Sequence, residues 1–136
     1  MTKPLLEGGC LCGAVRYQCD LPQSPPAYCH CASCRRAAGA HVVAGFTVPA
    51  SSLVFTQGQP SVYRSSLPVQ RGFCGRCGTQ LTYRNEQWPD HVDVTIGSLD
   101  EPDRVKPVDH IWMEDAASWD RPGDGLPCHA RSRLAG

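Results

Sequence analysis

The chain has 136 residues and a mass of 14.8 kDa, which is enough for one domain with its own hydrophobic core and too little for two. Its 13 basic and 13 acidic residues give a formal net charge of zero, so no overall positive field favours binding to nucleic acid or to an anionic membrane. We therefore expect a single domain over residues 1–136, with neither nucleic acid nor a membrane among its partners.

The start of the chain carries only two consecutive leucines before a charged residue, whereas a signal peptide needs an apolar stretch of about 7–15 residues. The most apolar window, residues 37–50, is interrupted by glycine and proline and is shorter than the roughly 20 residues that span a bilayer. Together these features favour a cytoplasmic protein. In that compartment clustered cysteines bind metal more often than they form disulfides.

Period-two alternation of apolar and polar residues predicts a mainly β fold. In chain order, strands are predicted at residues 15–19, 42–48, 53–56, 62–64, 81–84, 92–96 and 110–113. The one helical signal covers residues 32–38 and ends at Gly39, a typical C-cap residue. The pattern therefore indicates a compact, mostly antiparallel β domain with one short helix after the second cysteine cluster.

Seven of the nine cysteines fall in three tight clusters. The first cluster, Cys10 and Cys12, and the third, Cys74 and Cys77, are flanked by glycines that permit tight turns. Together they offer four thiolates and no open position, as in a structural zinc site. The long loop between them adds only about 1 kcal/mol to the cost of closure. The alternative is that these cysteines are buried or form disulfides.

The second cluster, Cys29, Cys31 and Cys34, offers three sulfurs within six residues. Three ligands and an open position are typical of a catalytic zinc site. A metal held by three thiolates suits a soft donor such as a thiol better than it suits water. The alternative is a second closed site, completed by one of His30, His41, His91, His110 or Cys128.

Residues near these clusters carry further predictions. Arg35 and Arg36 follow the second cluster directly, and their guanidinium groups can bind the carboxylates of a thiol substrate; the alternative is two solvated helix arginines. Cys19 shares a strand face with apolar residues, so we expect it in the core. We expect the tryptophans in the core or in pocket walls: Trp88, Trp112 and Trp119.

Three motifs carry a resemblance to a known family. Residues 7–17 read Glu-Gly-Gly-Cys-Leu-Cys-Gly-Ala-Val-Arg-Tyr, residues 29–36 read Cys-His-Cys-Ala-Ser-Cys-Arg-Arg, and residues 71–78 read Arg-Gly-Phe-Cys-Gly-Arg-Cys-Gly. The sequence thereby resembles the glutathione-dependent formaldehyde-activating enzymes and their relatives, which include centromere protein V. Further landmarks of that family are matched at residues 97–100, 110–112, 119 and 126–127. After these landmarks the chain departs from the family pattern, with Cys-His-Ala at residues 128–130.

The resemblance implies a β-tent fold, in which stacked antiparallel sheets are pinned by zinc. It implies two zinc sites per chain, of which the second can be partly occupied. The structural site would comprise Cys10, Cys12, Cys74 and Cys77, and the catalytic site Cys29, Cys31 and Cys34.

The family's reaction joins glutathione to formaldehyde and is formally a carbon–sulfur lyase reaction read backwards. The resemblance therefore implies a small thiol, glutathione, and a small aldehyde as substrates. Two alternatives belong to other functional classes: a non-catalytic carrier of glutathione or zinc, and a zinc-pinned domain that docks a protein partner.

Overall fold

A computed structural model describes residues 5–133 and shows a mainly β fold there, with two β-sheets and one α-helix. The first four and last three residues of the predicted domain lie outside the described residues. The smaller sheet has three antiparallel strands in the order β1 (Leu6–Gly9), β2 (Arg16–Cys19) and β5 (Val54–Gln57). Within residues 5–133 no helix is long and apolar enough to cross a membrane.

The larger sheet has seven strands. Its neighbouring strands are antiparallel except for one parallel pair at an edge, β10 (Asp109–Ile111) with β3 (Ala27–Cys29). The order across the sheet is β10 (Asp109–Ile111), β3 (Ala27–Cys29), β4 (Val43–Pro49), β9 (His91–Thr95), β8 (Gln80–Asn85), β7 (Val69–Phe73) and β6 (Ser61–Arg64).

Helix α1 (Ala32–Ala38) has the predicted bounds. The Cys31 sulfur caps its N-terminus by accepting a hydrogen bond from the backbone N–H of Cys34, and Gly39 ends it with a φ of 62°. That left-handed conformation is easily reached by glycine. The helix therefore begins inside the second cysteine cluster and includes its last member.

Every predicted strand is present, with boundaries that differ by a few residues. The structure adds three strands that the sequence pattern does not predict: β1, β3 and β7. β1 contains two glycines, β3 has only three residues, and β7 has glutamine, arginine and glycine at its centre. Such segments show little alternation of apolar and polar residues, and their strand pairing comes from tertiary contacts.

The hydrophobic core takes buried side chains from both sheets. Cys19 is fully buried within it, which confirms its prediction as a core residue. The prediction is wrong for two tryptophans, because Trp88 is 59% and Trp119 is 71% exposed. Trp88 lies in the turn between β8 and β9, and Trp119 lies outside the sheets. The large buried residues of the core are Leu6, Tyr17, Phe46, Val48, Leu81, Val92 and Val94.

The smaller sheet approaches the turn after β9 at Gly8. Gly8 forms an isolated antiparallel bridge with Leu99. Beside it the hydroxyl groups of Tyr17 and Ser98 share a buried hydrogen bond of 2.6 Å. A Cβ atom at Gly8 would lie 2.5 Å from the Ser98 carbonyl oxygen and 2.5 Å from the Tyr17 hydroxyl oxygen. Glycine is therefore required where the smaller sheet meets this turn.

We predict that Gly8→Ala lowers the free energy of unfolding by about 1–3 kcal/mol, the usual cost of forcing extra volume into a packed region. Urea denaturation followed by circular dichroism measures the change. Gly97→Ala is the matched control, since no atom lies within 4 Å of the added Cβ there. Equal stability of the two variants would contradict this account of the contact.

Candidate metal centres

The first and third cysteine clusters meet in space. The sulfur atoms of Cys10, Cys12, Cys74 and Cys77 all lie within 4.8 Å of one another. The distance is 3.7 Å between the Cys10 and Cys12 sulfurs and 3.8 Å between the Cys12 and Cys74 sulfurs. Four sulfurs placed 2.3 Å from a tetrahedral zinc ion are about 3.8 Å apart, whereas a disulfide is about 2.05 Å long. The donor set therefore fits zinc.

Two glycine turns bring these sulfurs together. Cys10 follows β1 of the smaller sheet, and Cys74 follows β7 of the larger one. In each loop a glycine follows the second cysteine, and both glycines have a positive φ: 81° at Gly13 and 85° at Gly78. The loops are also joined directly, because the backbone N–H of Leu11 donates a hydrogen bond to the Thr79 hydroxyl at 3.0 Å. The site thus links the two sheets.

Polar hydrogens point at the sulfurs of this cluster. The backbone N–H of Val15 donates to the Cys10 sulfur at 3.2 Å. The backbone N–H of Cys77 donates to the Cys74 sulfur at 3.4 Å. Hydrogen bonds from the Thr79 side chain and backbone lower the pKa of Cys77 to about 5. These donors favour the thiolate form, which is the form that binds metal.

The second cluster is held by a different pair of elements. Cys29 ends β3, Cys31 caps α1, and Cys34 lies in the first turn of that helix. The three sulfurs lie within 4.8 Å of one another, and 3.6 Å separates those of Cys29 and Cys34. Among the described residues no histidine, aspartate or glutamate joins this group. The cluster therefore offers three sulfur ligands to an ion and leaves a position open.

Crowding divides the negative charge of this cluster unequally. Hydrogen bonds from the Cys29 and Cys34 thiols lower the pKa of Cys31 to about 2. The pKa of Cys29 is raised, because its thiol is hydrogen-bonded to Cys31 and Cys34 and is buried. One sulfur thus ionises easily while its neighbour keeps its proton. A bound dication would favour the thiolate form of all three, so the chemistry of the donor set fits a metal ion.

A buried network of histidines and aspartates lies beside the second cluster. His30, only 1% exposed, has its Nδ1 atom 3.1 Å from Asp120 and its Nε2 atom 2.9 Å from Nδ1 of His110. His110 continues to Asp124 at 2.7 Å, and His41 reaches Asp120 at 2.9 Å. Both ring nitrogens of His30 and of His110 therefore have partners within the network. No local pattern in the sequence indicates this network, because its partners lie up to 90 positions apart.

A cavity of about 880 Å³ adjoins the second cluster and is lined by all three of its cysteines. A row of polar side chains crosses its sheet wall. The strand register places Thr47 opposite Asp93, Asp93 opposite Tyr83, and Tyr83 opposite Arg71. Trp112 also lines the cavity, as expected of a pocket wall. The volume lies within the roughly 300–1,000 Å³ of small-molecule sites.

Asp93 and Arg71 are the charged members of this row. The Thr47 hydroxyl donates a hydrogen bond of 2.6 Å to Oδ1 of Asp93, and burial raises the pKa of the Asp93 carboxyl. The two terminal nitrogens of Arg71 lie 3.8 and 3.9 Å from the Cys34 sulfur. Arg71 is the first residue of the third motif, three residues before Cys74. Apart from this position in the motif, the sequence gives no indication that Arg71 lies beside the second cluster.

The predicted substrate arginines lie elsewhere. Arg35 and Arg36 are on α1, and neither lines the cavity. Arg36 is exposed, whereas the Nε atom of Arg35 is buried and has no hydrogen-bond partner. Their role as carboxylate contacts stays a prediction.

Known proteins resemble this chain in fold and in sequence. A crystal structure of a Rhodobacter sphaeroides protein superimposes with a TM-score of 0.60 over 90% of this chain and 98% of that chain, at 21% identity, which shows a shared fold. A Halomonas elongata protein named "Putative glutathione-dependent formaldehyde-activating enzyme" is 30% identical over 131 residues, or 85% of this chain and 79% of that protein.

A second curated relative is an "Uncharacterized lyase" of Schizosaccharomyces pombe, 31% identical over 95 residues, which cover 68% of this chain and 69% of that protein. Residues 5–115 also match the sequence pattern of the family described as glutathione-dependent formaldehyde-activating enzyme. This match spans most of the chain and confirms the resemblance carried by the cysteine motifs. The chain therefore belongs to the glutathione-dependent formaldehyde-activating enzyme family.

Proposed function

We propose that this protein is a zinc-dependent enzyme of the carbon–sulfur lyase type, working as one zinc-binding domain. Its reaction would add a small thiol, glutathione, to a small aldehyde such as formaldehyde to give an S-hydroxymethyl adduct. The observation that carries the proposal is the cavity beside Cys29, Cys31 and Cys34. Three sulfur ligands facing a cavity leave room for a fourth sulfur from a substrate. Family membership and the name of the Halomonas elongata relative support the same chemistry, and the name of the Schizosaccharomyces pombe relative supports a lyase.

We assign different roles to the two cysteine sets. Cys10, Cys12, Cys74 and Cys77 would hold a structural zinc ion, because four sulfurs complete a tetrahedron and exclude a substrate. Cys29, Cys31 and Cys34 would hold the second ion. Zinc bound there would keep an incoming thiol in its nucleophilic thiolate form at neutral pH.

The reaction needs a sulfur nucleophile and a proton donor. The thiolate sulfur forms a bond with the carbonyl carbon, the π electron pair moves to the carbonyl oxygen, and that oxygen takes up a proton in place of the one the thiol lost. Asp93 is the cavity residue suited to supply it, because burial raises the pKa of its carboxyl. Its Oδ1 atom accepts the hydrogen bond from Thr47, which leaves Oδ2 to carry the proton.

Arg35 and Arg36 remain candidates for contact with the carboxylates of the thiol. Because neither lines the cavity, such a contact would form at its rim.

We predict that Cys12→Ala and Cys77→Ala each lose about one zinc ion per chain and yield a poorly folded or aggregating protein. The free energy of binding a structural zinc ion, about 10–16 kcal/mol, contributes directly to folding. Elemental analysis and thermal unfolding measure the two effects. Cys128→Ala is the matched control, since Cys128 is exposed and lies outside both clusters. A Cys12→Ala protein with the melting temperature of the wild type would refute the structural assignment.

We predict that mild chelation removes about one of the two ions while the fold persists. Three sulfurs and an open position hold zinc less firmly than four sulfurs do. Elemental analysis after dialysis against a chelator, with circular dichroism on the same samples, is the measurement. Loss of both ions together with unfolding is the contrary result.

We predict that zinc-loaded protein binds reduced glutathione and accelerates its addition to formaldehyde. S-methylglutathione, which cannot form a thiolate, should bind much more weakly. Cys31→Ala should weaken glutathione binding while the protein stays folded, because it removes one ligand of the open site. Calorimetry measures binding, and NMR exchange with ¹³C-formaldehyde measures the rate above that of the uncatalysed reaction.

The outcomes of this experiment separate the functional classes. Binding without acceleration would identify a carrier of glutathione or zinc. Equal binding of the methylated and free thiols, or no binding at millimolar concentration, would reject a thiol bound at this site and favour a protein-interaction domain.

A further inference from the structure

Arg71 contacts the second cysteine cluster from the opposite wall of the cavity. Both of its terminal nitrogens point at the Cys34 sulfur, at 3.8 and 3.9 Å. Its guanidinium carbon lies 5.1 Å from the centre of the Tyr83 ring, within the range of a cation–π contact. Its Nε atom is buried and has no hydrogen-bond partner. The side chain is therefore held against a sulfur atom and an aromatic face.

The other charged residues lining the cavity have different partners. Arg133 makes two hydrogen bonds to the Asp109 carboxylate, at 2.9 and 2.6 Å. Asp93 accepts from Thr47, and Asp115 accepts from a backbone N–H of α1. Among the described residues Arg71 has no carboxylate within 4 Å. Of the two described arginines that line the cavity, Arg133 is neutralised by a carboxylate and Arg71 is not. The charge of Arg71 can therefore act on the cysteine cluster.

The charge balance of the cluster gives this cation a role. Three thiolates around a zinc ion carry a net charge of about −1, and a fourth, anionic sulfur raises that to about −2. Accumulating negative charge in a partly enclosed cavity is unfavourable unless a positive charge lies close by. The guanidinium of Arg71 lies in direct contact with one of the three sulfurs.

We propose that Arg71 is a charge-compensating positioning residue that lets the Cys29, Cys31 and Cys34 cluster accept a fourth, anionic sulfur. This inference rests on the proposed assignment of that cluster to the thiol substrate. Arg71 acts through Cys34, and its effect extends to every thiol, whatever other groups the thiol carries.

The strands on either side of β7 hold the backbone of Arg71 in place. Arg71 lies in the middle of β7, where its backbone pairs with Tyr63 of β6 and Tyr83 of β8. Next to it, Gly72 lets β7 approach β8 closely, since a Cβ there would lie 2.3 Å from the Thr82 hydroxyl. The strand is therefore held from both sides, and the planar guanidinium can present two N–H donors to one sulfur.

The main rival role for Arg71 is contact with a carboxylate of the substrate. The two roles predict different dependence on the thiol. Charge compensation affects a neutral thiol and an anionic thiol equally, whereas a carboxylate contact affects only the anionic one. A matched pair of probes is 2-mercaptoethanol, which has no carboxylate, and 3-mercaptopropionate, which has one.

The test is calorimetric titration of zinc-loaded Arg71→Gln, Arg71→Lys and wild-type protein with both probes. We expect Arg71→Gln to weaken the binding of both by a similar factor, about 10–100-fold, the usual effect of removing a group that supports a metal ligand. Arg71→Lys keeps the positive charge and loses the planar pair of N–H donors. Its affinity for each probe should lie between those of the wild type and Arg71→Gln. Arg64→Gln is the matched control, because Arg64 is an exposed arginine of β6 paired with Glu86. Elemental analysis shows whether each variant keeps its zinc.

A second variant keeps the test decisive if Arg71→Gln does not fold. Ser33→Asp changes an exposed position on the cavity wall beside the cluster and adds a negative charge there. Ser33→Asn is its uncharged control, because both variants lose the hydroxyl that is hydrogen-bonded to Cys31. Relative to this control, Ser33→Asp should weaken the binding of both probes in the same way. Unchanged affinities in Ser33→Asp would overturn the charge argument.

Each remaining outcome has a separate meaning. Unchanged binding in Arg71→Gln, or weaker binding of 3-mercaptopropionate alone, would overturn the inference and leave the proposed function intact. Wild-type protein that binds thiols without accelerating the formaldehyde reaction would reject the proposed enzyme. The ratio of the thiol affinities of wild-type and Arg71→Gln protein would still test the inference about Arg71. Wild-type protein that binds no thiol would overturn both.

Discussion

The crowding of cysteine sulfurs is the constraint on which the rest of this structure depends. The cysteines form two separate sets, and within each set the sulfurs lie within 4.8 Å of one another. Thiols this close do not all ionise unless a cation lies between them. The first set joins the end of β1 to the end of β7, one from each sheet. The relative position of the two sheets is thus coupled to whatever neutralises those sulfurs.

The difference between the two sets lies in what surrounds them. Four sulfurs close the first site, and backbone N–H groups of its own loops point at them. Three sulfurs form the second, and all three of its cysteines line a cavity that is walled in part by the larger sheet. Under the proposed assignment, the same cysteine chemistry would favour stability at one site and ligand exchange at the other. The two sites thus differ in the number of sulfur atoms and in their access to the cavity.

Most features that the sequence predicts depend on residues close together along the chain; the meeting of the first and third cysteine clusters is an exception, because each supplies half of a four-sulfur set. Helix α1 and the grouping of Cys29, Cys31 and Cys34 follow from local spacing, and both are confirmed. Arg71 contacts Cys34 from 37 positions away, and His110 meets His30 from 80 positions away, so neither contact leaves a periodic signal. The prediction that Trp119 lies in the core or in a pocket wall is wrong for a related reason. Hydrophobicity alone does not show which side chains are buried in the core.

Strand β7 connects the two sites physically. It carries Arg71 to the second cluster, and Cys74, the residue directly after it, belongs to the first. The side chain that contacts Cys34 is therefore three residues from a cysteine anchored in the four-sulfur set. Disruption of that set would release the end of β7 and weaken the placement of Arg71 in the cavity. The site proposed to be structural would thus support the electrostatics of the site proposed to bind a thiol.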